Sequence, residues 1–160
     1  MPIQALTAAR LRDLLSYSPE TGEFVWRRSA KGRPVRAGAR AGSPHSGGYL
    51  SIGIGGRNYL AHRLAWMYAH GQWPQQDIDH IDGDRRNNRI ANLRDVSRAM
   101  NCQNRRREDM GVSFHKRDKR WLAQIHVDSK KRHLGSFATR AEAQARYMAA
   151  KRVLHPGCTI

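Results

Sequence analysis

The chain has few cysteines, few acidic residues and no long hydrophobic segment. Only two cysteines occur among its 160 residues, and neither Cys102 nor Cys158 belongs to a CxxC pair or to a Cys/His set at zinc spacing. A disulfide scaffold and a structural zinc site are therefore not indicated, and a reducing cytosol is the expected location. No apolar run approaches the roughly 20 residues of a membrane-spanning helix, and Met1–Gln4 starts no secretory leader, so neither membrane insertion nor secretion is expected.

The shortage of acidic residues leaves the chain strongly basic. Lys and Arg number 29 against 13 Asp and Glu, a formal net charge of +16, which predicts a polyanionic partner. Half of that excess lies in residues 111–160, which hold 11 basic and 3 acidic residues. Four acids nevertheless crowd together elsewhere, and a divalent cation or a solvated turn built from Asp would each explain them. They are Asp77, Asp79, Asp82 and Asp84.

The first seventy residues predict two helices separated by strands and a basic loop. Thr7 caps a short helix with Leu11, Leu14 and Leu15 on one side, and a strand follows at 23–26. Gly55-Gly56 joins two strands into a hairpin, and a helix spans 61–70. Residues 28–48 predict a loop that either follows a phosphate backbone or is a solvated linker. Its cations are Arg28, Lys31, Arg33, Arg36 and Arg40.

The segment from 78 to 104 concentrates groups that hold a metal ion or abstract a proton. A strand ending in Asp79-His80 is followed by a polar loop, a short segment at 92–96 and a helix to about Asn104. Hydrolysis of a phosphodiester needs a general base, which a neutral His supplies, and a cation, which oxygen ligands hold. The candidate residues are Asp79, His80, Asn87, Asn88, Asn92 and Asn101.

The residues from Asp79 to Asn101 resemble the HNH (ββα-metal) nuclease motif, in the variant of phage-type homing endonucleases, and the resemblance extends over about 45–104. His80 precedes Asn92 by 12 positions and Asn101 by 21. The resemblance implies that Asp79 and Asn101 bind one divalent ion, that His80 is the general base, and that Asn92 braces the loop so that the imidazole is aimed. Asn101 replaces the last His of the name, as in the HNN branch, which favours magnesium or manganese over zinc.

Two other structures are compatible with parts of this segment. A calcium-binding EF-hand would place its obligatory glycine at Gly83, which puts Ile78 and Arg89 at ligand positions and argues against it. A degenerate HNH fold that binds DNA without cutting stays open, although every expected ligand is present. His62, which opens the second helix, either contacts DNA or a phosphate or serves as a packing or capping residue.

The last fifty residues predict a separate unit of three strands and one helix. The strands lie at 112–115, 121–127 and 131–134, and Thr139 with Glu142 forms a capping box at the helix start. The residues predicted to face the sheet from the helix are Ala141, Ala145, Met148 and Ala149. Strand alternation predicts that the sheet residues facing the helix are Phe114, Trp121, Ala123, Ile125 and Val127.

Residues 111–154 resemble the APETALA-type (ethylene-response-factor) DNA-binding domain through segments 121–126, 134–137 and 139–147. A small twisted sheet can lie in a major groove, where Gln reads adenine and Lys meets guanine or phosphate. Where the plant domains present Arg and Trp, this chain often has His, Ser or Gln, and a merely solvated face is the alternative. The predicted DNA-binding residues are Ser113, His115, Arg117, Gln124, His126, Lys130, Lys131 and His133.

The sequence thus predicts an α+β protein of two modules. A ββα-metal (HNH) module with an N-terminal helix and hairpin spans 1–104, a basic linker spans 105–110, and the DNA-binding domain, a three-stranded antiparallel sheet packed on one helix, spans 111–160. The expected protein is a monomeric, free-standing homing-type endonuclease of phage or mobile-element origin, which hydrolyses double-stranded DNA with magnesium or manganese in a bacterial cytosol. The alternatives are a DNA-binding transcription regulator that does not cut and an RNA-binding module.

Overall fold

The computed structural model describes residues 6–29, 35–104 and 111–159, so the expected linker at 105–110 and the loop cations Lys31 and Arg33 lie outside the described residues. The described chain contains four α-helices and eleven strands, which confirms a mixed α+β protein. It divides into two compact units, 1–97 and 98–160. None of the described helices combines the length and the apolar character needed to cross a membrane.

The first unit begins with a capped helix and two small antiparallel sheets. Thr7 Oγ1 accepts a hydrogen bond from the backbone N of Arg10 at 3.2 Å and so starts the predicted helix. The predicted hairpin is also confirmed, because Gly55 and Gly56 both take positive φ at its turn. The elements are α1 (Ala8–Leu14), β1 (Leu15–Ser18), β2 (Glu23–Trp26), β3 (Arg40–Ala41), β4 (Ser43–Pro44), β5 (Leu50–Ile54) and β6 (Arg57–Leu60).

Two parts of this region differ from the prediction. Strand β1 was not expected, yet Leu15 and Tyr17 alternate with serines and are buried, as a half-buried strand requires. The prediction of a continuous basic loop at 28–48 was wrong in part, because β3, β4 and a 3-10 turn (Ser46–Gly48) lie within this range. Arg40 on β3 pairs with Glu23 at 3.0 Å, so this cation is held by an acid of the neighbouring strand.

The remainder of the first unit positions the candidate site. Helix α2 (Ala61–His70) follows β6 as predicted and ends at Gly71, whose φ of 78° closes the helix in the left-handed conformation. Strand β7 (Asp77–His80) then pairs antiparallel with β8 (Leu93–Val96), after a 3-10 turn at Ile90–Asn92. The largest buried apolar side chains of this unit are Leu11, Leu15, Phe24, Ile52 and Leu64.

The second unit is a three-stranded antiparallel sheet with two helices. The central strand of its sheet spans Arg120–Val127, and Thr139 and Glu142 form the predicted capping box. The chain after the last helix returns to the first helix of this unit, where Gly157 N donates to Gln103 Oε1 at 2.8 Å. The elements are α3 (Arg98–Gln103), β9 (Val112–His115), β10 (Arg120–Val127), β11 (Lys130–Phe137) and α4 (Arg140–Leu154).

The predicted packing face of α4 was wrong. Ala141, Ala145 and Ala149 are exposed, and Met148 is only partly buried. The buried residues are Ala143, Tyr147, Ala150 and Lys151, which follow the helical spacing of four, seven and eight positions. Small size alone therefore misled the prediction, because the buried Tyr147 ring supplies the apolar area that three alanines cannot.

Candidate functional site

His80 lies at the end of β7 and is almost completely enclosed. His80 is 5 % exposed, and its Nε2 lies 3.2 Å from Asn88 Oδ1. Because an amide oxygen only accepts hydrogen bonds, Nε2 carries the proton in this contact and the lone pair is on Nδ1. Burial lowers the pKa of His80 below its usual value, although the Asn88 hydrogen bond and the nearby aspartates oppose the shift. The imidazole is therefore neutral near pH 7.

A second buried histidine packs against the first. The rings of His62 and His80 meet edge to face with their centroids 5.1 Å apart, and Tyr49 lies 5.2 Å from His62 and 6.1 Å from His80. Burial, and then the charges of His80 and Arg63, lower the pKa of His62 to about 3. His62 is 5 % exposed, which favours the packing role over contact with DNA, and it caps nothing.

The backbone at Asn88, whose side chain holds His80, is itself fixed by β1 and by the turn that follows β1. Tyr17 on β1 donates its hydroxyl hydrogen to the backbone oxygen of Asn88 at 2.7 Å. Gly22, in the turn after β1, approaches the same segment so closely that a Cβ there would lie 2.5 Å from Asn88 C and from Arg89 N. Its φ of 75° also requires glycine. The unexpected strand β1 therefore sets the position of the histidine partner.

Asn92 ties together the loop between β7 and β8. Its Nδ2 donates to Asp82 Oδ1 at 2.9 Å and to the Asn87 backbone oxygen at 2.8 Å, and its Oδ1 accepts from Asp82 N at 3.0 Å. Asp82 also accepts from Asn87 Nδ2 and from Asp84 N. Slight burial raises the pKa of Asp82, but these hydrogen bonds outweigh it and the net pKa is lowered. The acids of this loop thus build the turn, as one of the two sequence interpretations had it.

Asp79 is paired with an arginine that the sequence analysis missed. Arg94 lies directly across from Asp79 in the β7–β8 ladder and donates Nε and Nη2 to Asp79 Oδ2, at 2.9 and 2.6 Å. The Asp79 side chain is 7 % exposed and that of Arg94 22 %. Opposite charges at facing positions of an antiparallel pair are a recognisable signal, but it requires the strand register, which the sequence did not give.

A metal ion would have few protein ligands at this site. Among the described residues, no group of three or more His, Cys, Asp or Glu side chains lies close enough to hold one. Asp79 can still offer a carboxylate, since the two oxygens of a carboxylate provide about four lone-pair sites. Magnesium fits such a set, because it keeps several waters and takes one or two carboxylates together with substrate phosphates.

Asn101, the other expected metal ligand, lies on α3. This helix belongs to the second compact unit, in which Thr159 N donates to Asn104 Oδ1 at 3.0 Å. Asn101 is partly buried. Its participation in a metal site stays a prediction.

The predicted DNA-binding residues of the second unit lie mostly on one face of its sheet. Gln124 faces His133 and His126 faces Lys131 across β10 and β11, and cross-strand neighbours share a face. Ser113 and His115 on β9 stand opposite Leu122 and Arg120 of β10 on that same face. Arg120 is an additional cation there that sequence reasoning missed. We call this surface the polar sheet face; its members are Ser113, His115, Arg120, Leu122, Gln124, His126, Lys131 and His133.

Two of the predicted DNA contacts lie elsewhere in the second unit. Arg117 is in the turn between β9 and β10 and is exposed. Lys130 faces Val127 at the start of β11, which puts it on the helix side of the sheet. Arg117 therefore borders the polar sheet face, whereas Lys130 lies on the opposite side of the sheet.

Comparison with known proteins identifies one family. Residues 59–103 match the HNH endonuclease family, a stretch that runs from β6 through α2, β7 and β8 to α3 and contains His62, Asp79, His80 and Asn92. The match supports a nuclease that acts on DNA. No curated protein and no solved structure matches the chain significantly.

Proposed function

We propose that this protein is a divalent-metal-dependent DNA endonuclease of the homing type, directed to its target by the second unit. His80 is the general base that takes the proton from the attacking water. Asn88 and His62 hold the imidazole, and Asn92 fixes the loop that follows it. Asp79 would hold the metal ion, and the HNH resemblance assigns a second ligand to Asn101.

The observation that carries this proposal is the enclosure of His80 at the end of β7. A general base needs a fixed orientation and a neutral, proton-accepting form near pH 7. The Nε2 contact with Asn88 Oδ1 at 3.2 Å supplies the orientation, and the 5.1 Å edge-to-face contact with His62 restricts the ring from another side. Burial keeps the imidazole neutral. A histidine in a solvated loop would have neither this fixed orientation nor this burial.

The ion, when bound, would stabilise the negative charge on the scissile phosphate and on the leaving oxygen. The protein side of this role falls to Asp79, whose carboxylate Arg94 holds by two hydrogen bonds to a single oxygen. Arg94 thereby orients the carboxylate and reduces the cost of keeping it charged while nearly buried. A cation close to Asp79 also favours the approach of a phosphodiester.

The second unit is proposed to read the target sequence. Its 111–160 segment carries 11 basic and 3 acidic residues, and the polar sheet face presents Gln124 beside His133 and His126 beside Lys131. A bidentate contact from Gln124 to an adenine edge would be worth about 1–3 kcal/mol of discrimination. Cations that border the face would add affinity without sequence preference.

Plasmid relaxation tests the nuclease assignment. The full chain is expected to nick or linearise supercoiled DNA with magnesium and to lose this activity in EDTA. His80→Ala should slow cleavage by roughly 10² to 10⁴ while DNA affinity stays within about twofold, because the base acts in the chemical step. His45→Ala, which changes an exposed histidine of the same unit, is the matched control and should cleave normally. Normal cleavage by His80→Ala would refute the assignment.

Two further variants separate sequence reading from general affinity. Gln124→Ala is expected to relax the preference at one base position in cleavage mapping, whereas Arg117→Ala should weaken binding to all sequences alike and lower the salt dependence. If the wild-type chain binds DNA specifically but never cuts it with magnesium or manganese, a transcription regulator is the correct interpretation. If RNA is bound in preference to duplex DNA, both DNA interpretations fail.

A further inference from the structure

One aromatic side chain of the second unit remains in solvent although its strand position faces the helix. Phe114 on β9 stands opposite Trp121 on the central strand, so both point to the α4 side of the sheet. Trp121 packs against the apolar cluster of this unit, but Phe114 is 48 % exposed. Among the described residues only Val153 is a further large hydrophobic residue with comparable exposure, at 81 %. Phe114 therefore faces the helix side of the sheet as predicted, but the helix leaves its ring exposed.

The exposed ring contacts the ring of Trp121, which in turn contacts Arg140. The centroids of Phe114 and Trp121 are 5.2 Å apart with the rings tilted by 57°, and the Arg140 guanidinium lies 5.9 Å from the centre of the Trp121 ring. Contacts of this kind restrict the ring without covering its outer face. Phe114 thus presents a fixed π-surface to solvent rather than a freely rotating side chain.

Positive charge surrounds this surface. The turn that joins β9 to β10 begins two residues after Phe114, and three of its four exposed residues are cationic. Asp118, the acid in this turn, lies 3.1 Å from His115 Nδ1. The cations are Lys116, Arg117 and Lys119.

A fixed aromatic face beside clustered cations fits a ligand that has both planar rings and negative charge. Nucleotides combine the two, and base–aromatic stacking occurs with every base. In a duplex the faces of each base are covered by its neighbours, so a base with an accessible face belongs to an unpaired strand. The polar sheet face lies on the other side of the sheet, so this site is separate from the proposed contact with duplex DNA.

We propose that Phe114, with the cations of the β9–β10 turn, forms a binding site for single-stranded DNA in which Phe114 stacks on one unpaired base. The site goes beyond the proposed cleavage activity and does not depend on it. It would allow the protein to hold a strand that is displaced or frayed next to the duplex that the polar sheet face contacts.

Fluorescence anisotropy of a labelled oligothymidine tests this site, with the full chain in EDTA so that no cleavage occurs. Phe114→Ala is expected to weaken binding by roughly 5- to 150-fold, the range for one stacked base. Phe114→Trp should bind like the wild type because it keeps a π-face, and Val153→Ala should also be unchanged. Phe114→Leu keeps an apolar contact with Trp121 and is the variant to use if the Ala form fails to fold. It should also lose affinity.

An abasic oligonucleotide of the same length supplies the second arm, because it keeps the phosphates and removes the bases. The wild type should bind it about as weakly as Phe114→Ala binds oligothymidine, and the Phe114→Ala substitution should then cause no further loss. Unchanged oligothymidine affinity in both Phe114→Ala and Phe114→Leu would overturn the proposal. An equal loss of affinity for duplex DNA would also overturn it, by making Phe114 part of the duplex contact. Absence of plasmid cleavage bears only on the nuclease proposal.

Discussion

The buried His62 should make the stability of the first unit depend on pH in a measurable way. Burial holds its pKa at about 3 in the folded chain, against 6.5 for an unperturbed histidine. Between these values the unfolded chain binds a proton at this position that the folded chain does not. The free energy of unfolding is therefore highest above pH 6.5 and falls as the pH decreases from 6.5 towards 3.

The size of the effect follows from the pKa difference. Each pH unit inside the window costs up to about 1.4 kcal/mol for one proton, so the His62 contribution between pH 7 and pH 5 is roughly 2 kcal/mol. His80 has a lowered pKa from the same cause and adds to the loss. Between pH 7 and pH 5 the free energy of unfolding of the wild type should consequently fall by more than the contribution of His62 alone. The His62→Gln substitution should reduce this fall by roughly 2 kcal/mol.

Urea unfolding at pH 7, 6 and 5, followed by tryptophan fluorescence, measures this. Trp26, Trp66 and Trp73 pack against the core of the first unit, so the signal of this unit dominates. The quantity compared is the change in unfolding free energy between pH 7 and pH 5 within each variant, which cancels any loss that the substitution causes at pH 7. His45→Gln removes an exposed histidine and should keep the wild-type pH dependence. If His62→Gln keeps it as well, His62 is not neutral and buried as described.

Three other substitutions test contacts around the site and in the second unit. Gly22→Ala should lower the free energy of unfolding in urea by roughly 2 kcal/mol more than Gly38→Ala does. Both glycines have positive φ, but only at Gly22 would the new Cβ overlap the Asn88 backbone. Gly22→Ala should therefore also slow cleavage. Tyr17→Phe should cost about 1–2 kcal/mol, since the Asn88 carbonyl loses a buried hydrogen-bond donor; no loss would show that water replaces it. Gly111→Ala would put a methyl 2.1 Å from an aromatic ring carbon of the second unit, so DNA affinity in a filter-binding assay should fall while the unfolding of the first unit is unchanged.

Local signals in the sequence predicted those elements whose causes are themselves local. The glycine pair at 55–56, the Thr7 cap and the Thr139–Glu142 capping box each act within four residues, and the structure has the corresponding turn and helix starts. The resemblance to the HNH motif likewise implied a loop braced by Asn92, and the Asn92 side chain makes hydrogen bonds within that loop. Alternation in β10 assigned Gln124 and His126 to one face because a strand has a strict period of two.

The surroundings of the catalytic candidate depend instead on contacts between residues far apart in the chain. Tyr17 and Asn88 are 71 positions apart, and the contact exists only because β1, which the sequence did not reveal, carries Tyr17 towards the loop. Asp79 and Arg94 meet because of a strand register that no local pattern determines. A motif can therefore indicate which histidine would act as a base, whereas the groups that would fix its orientation are supplied by tertiary packing. For this reason the most informative variants are those of Tyr17, Gly22 and His62, since each changes a contact that the motif itself does not contain.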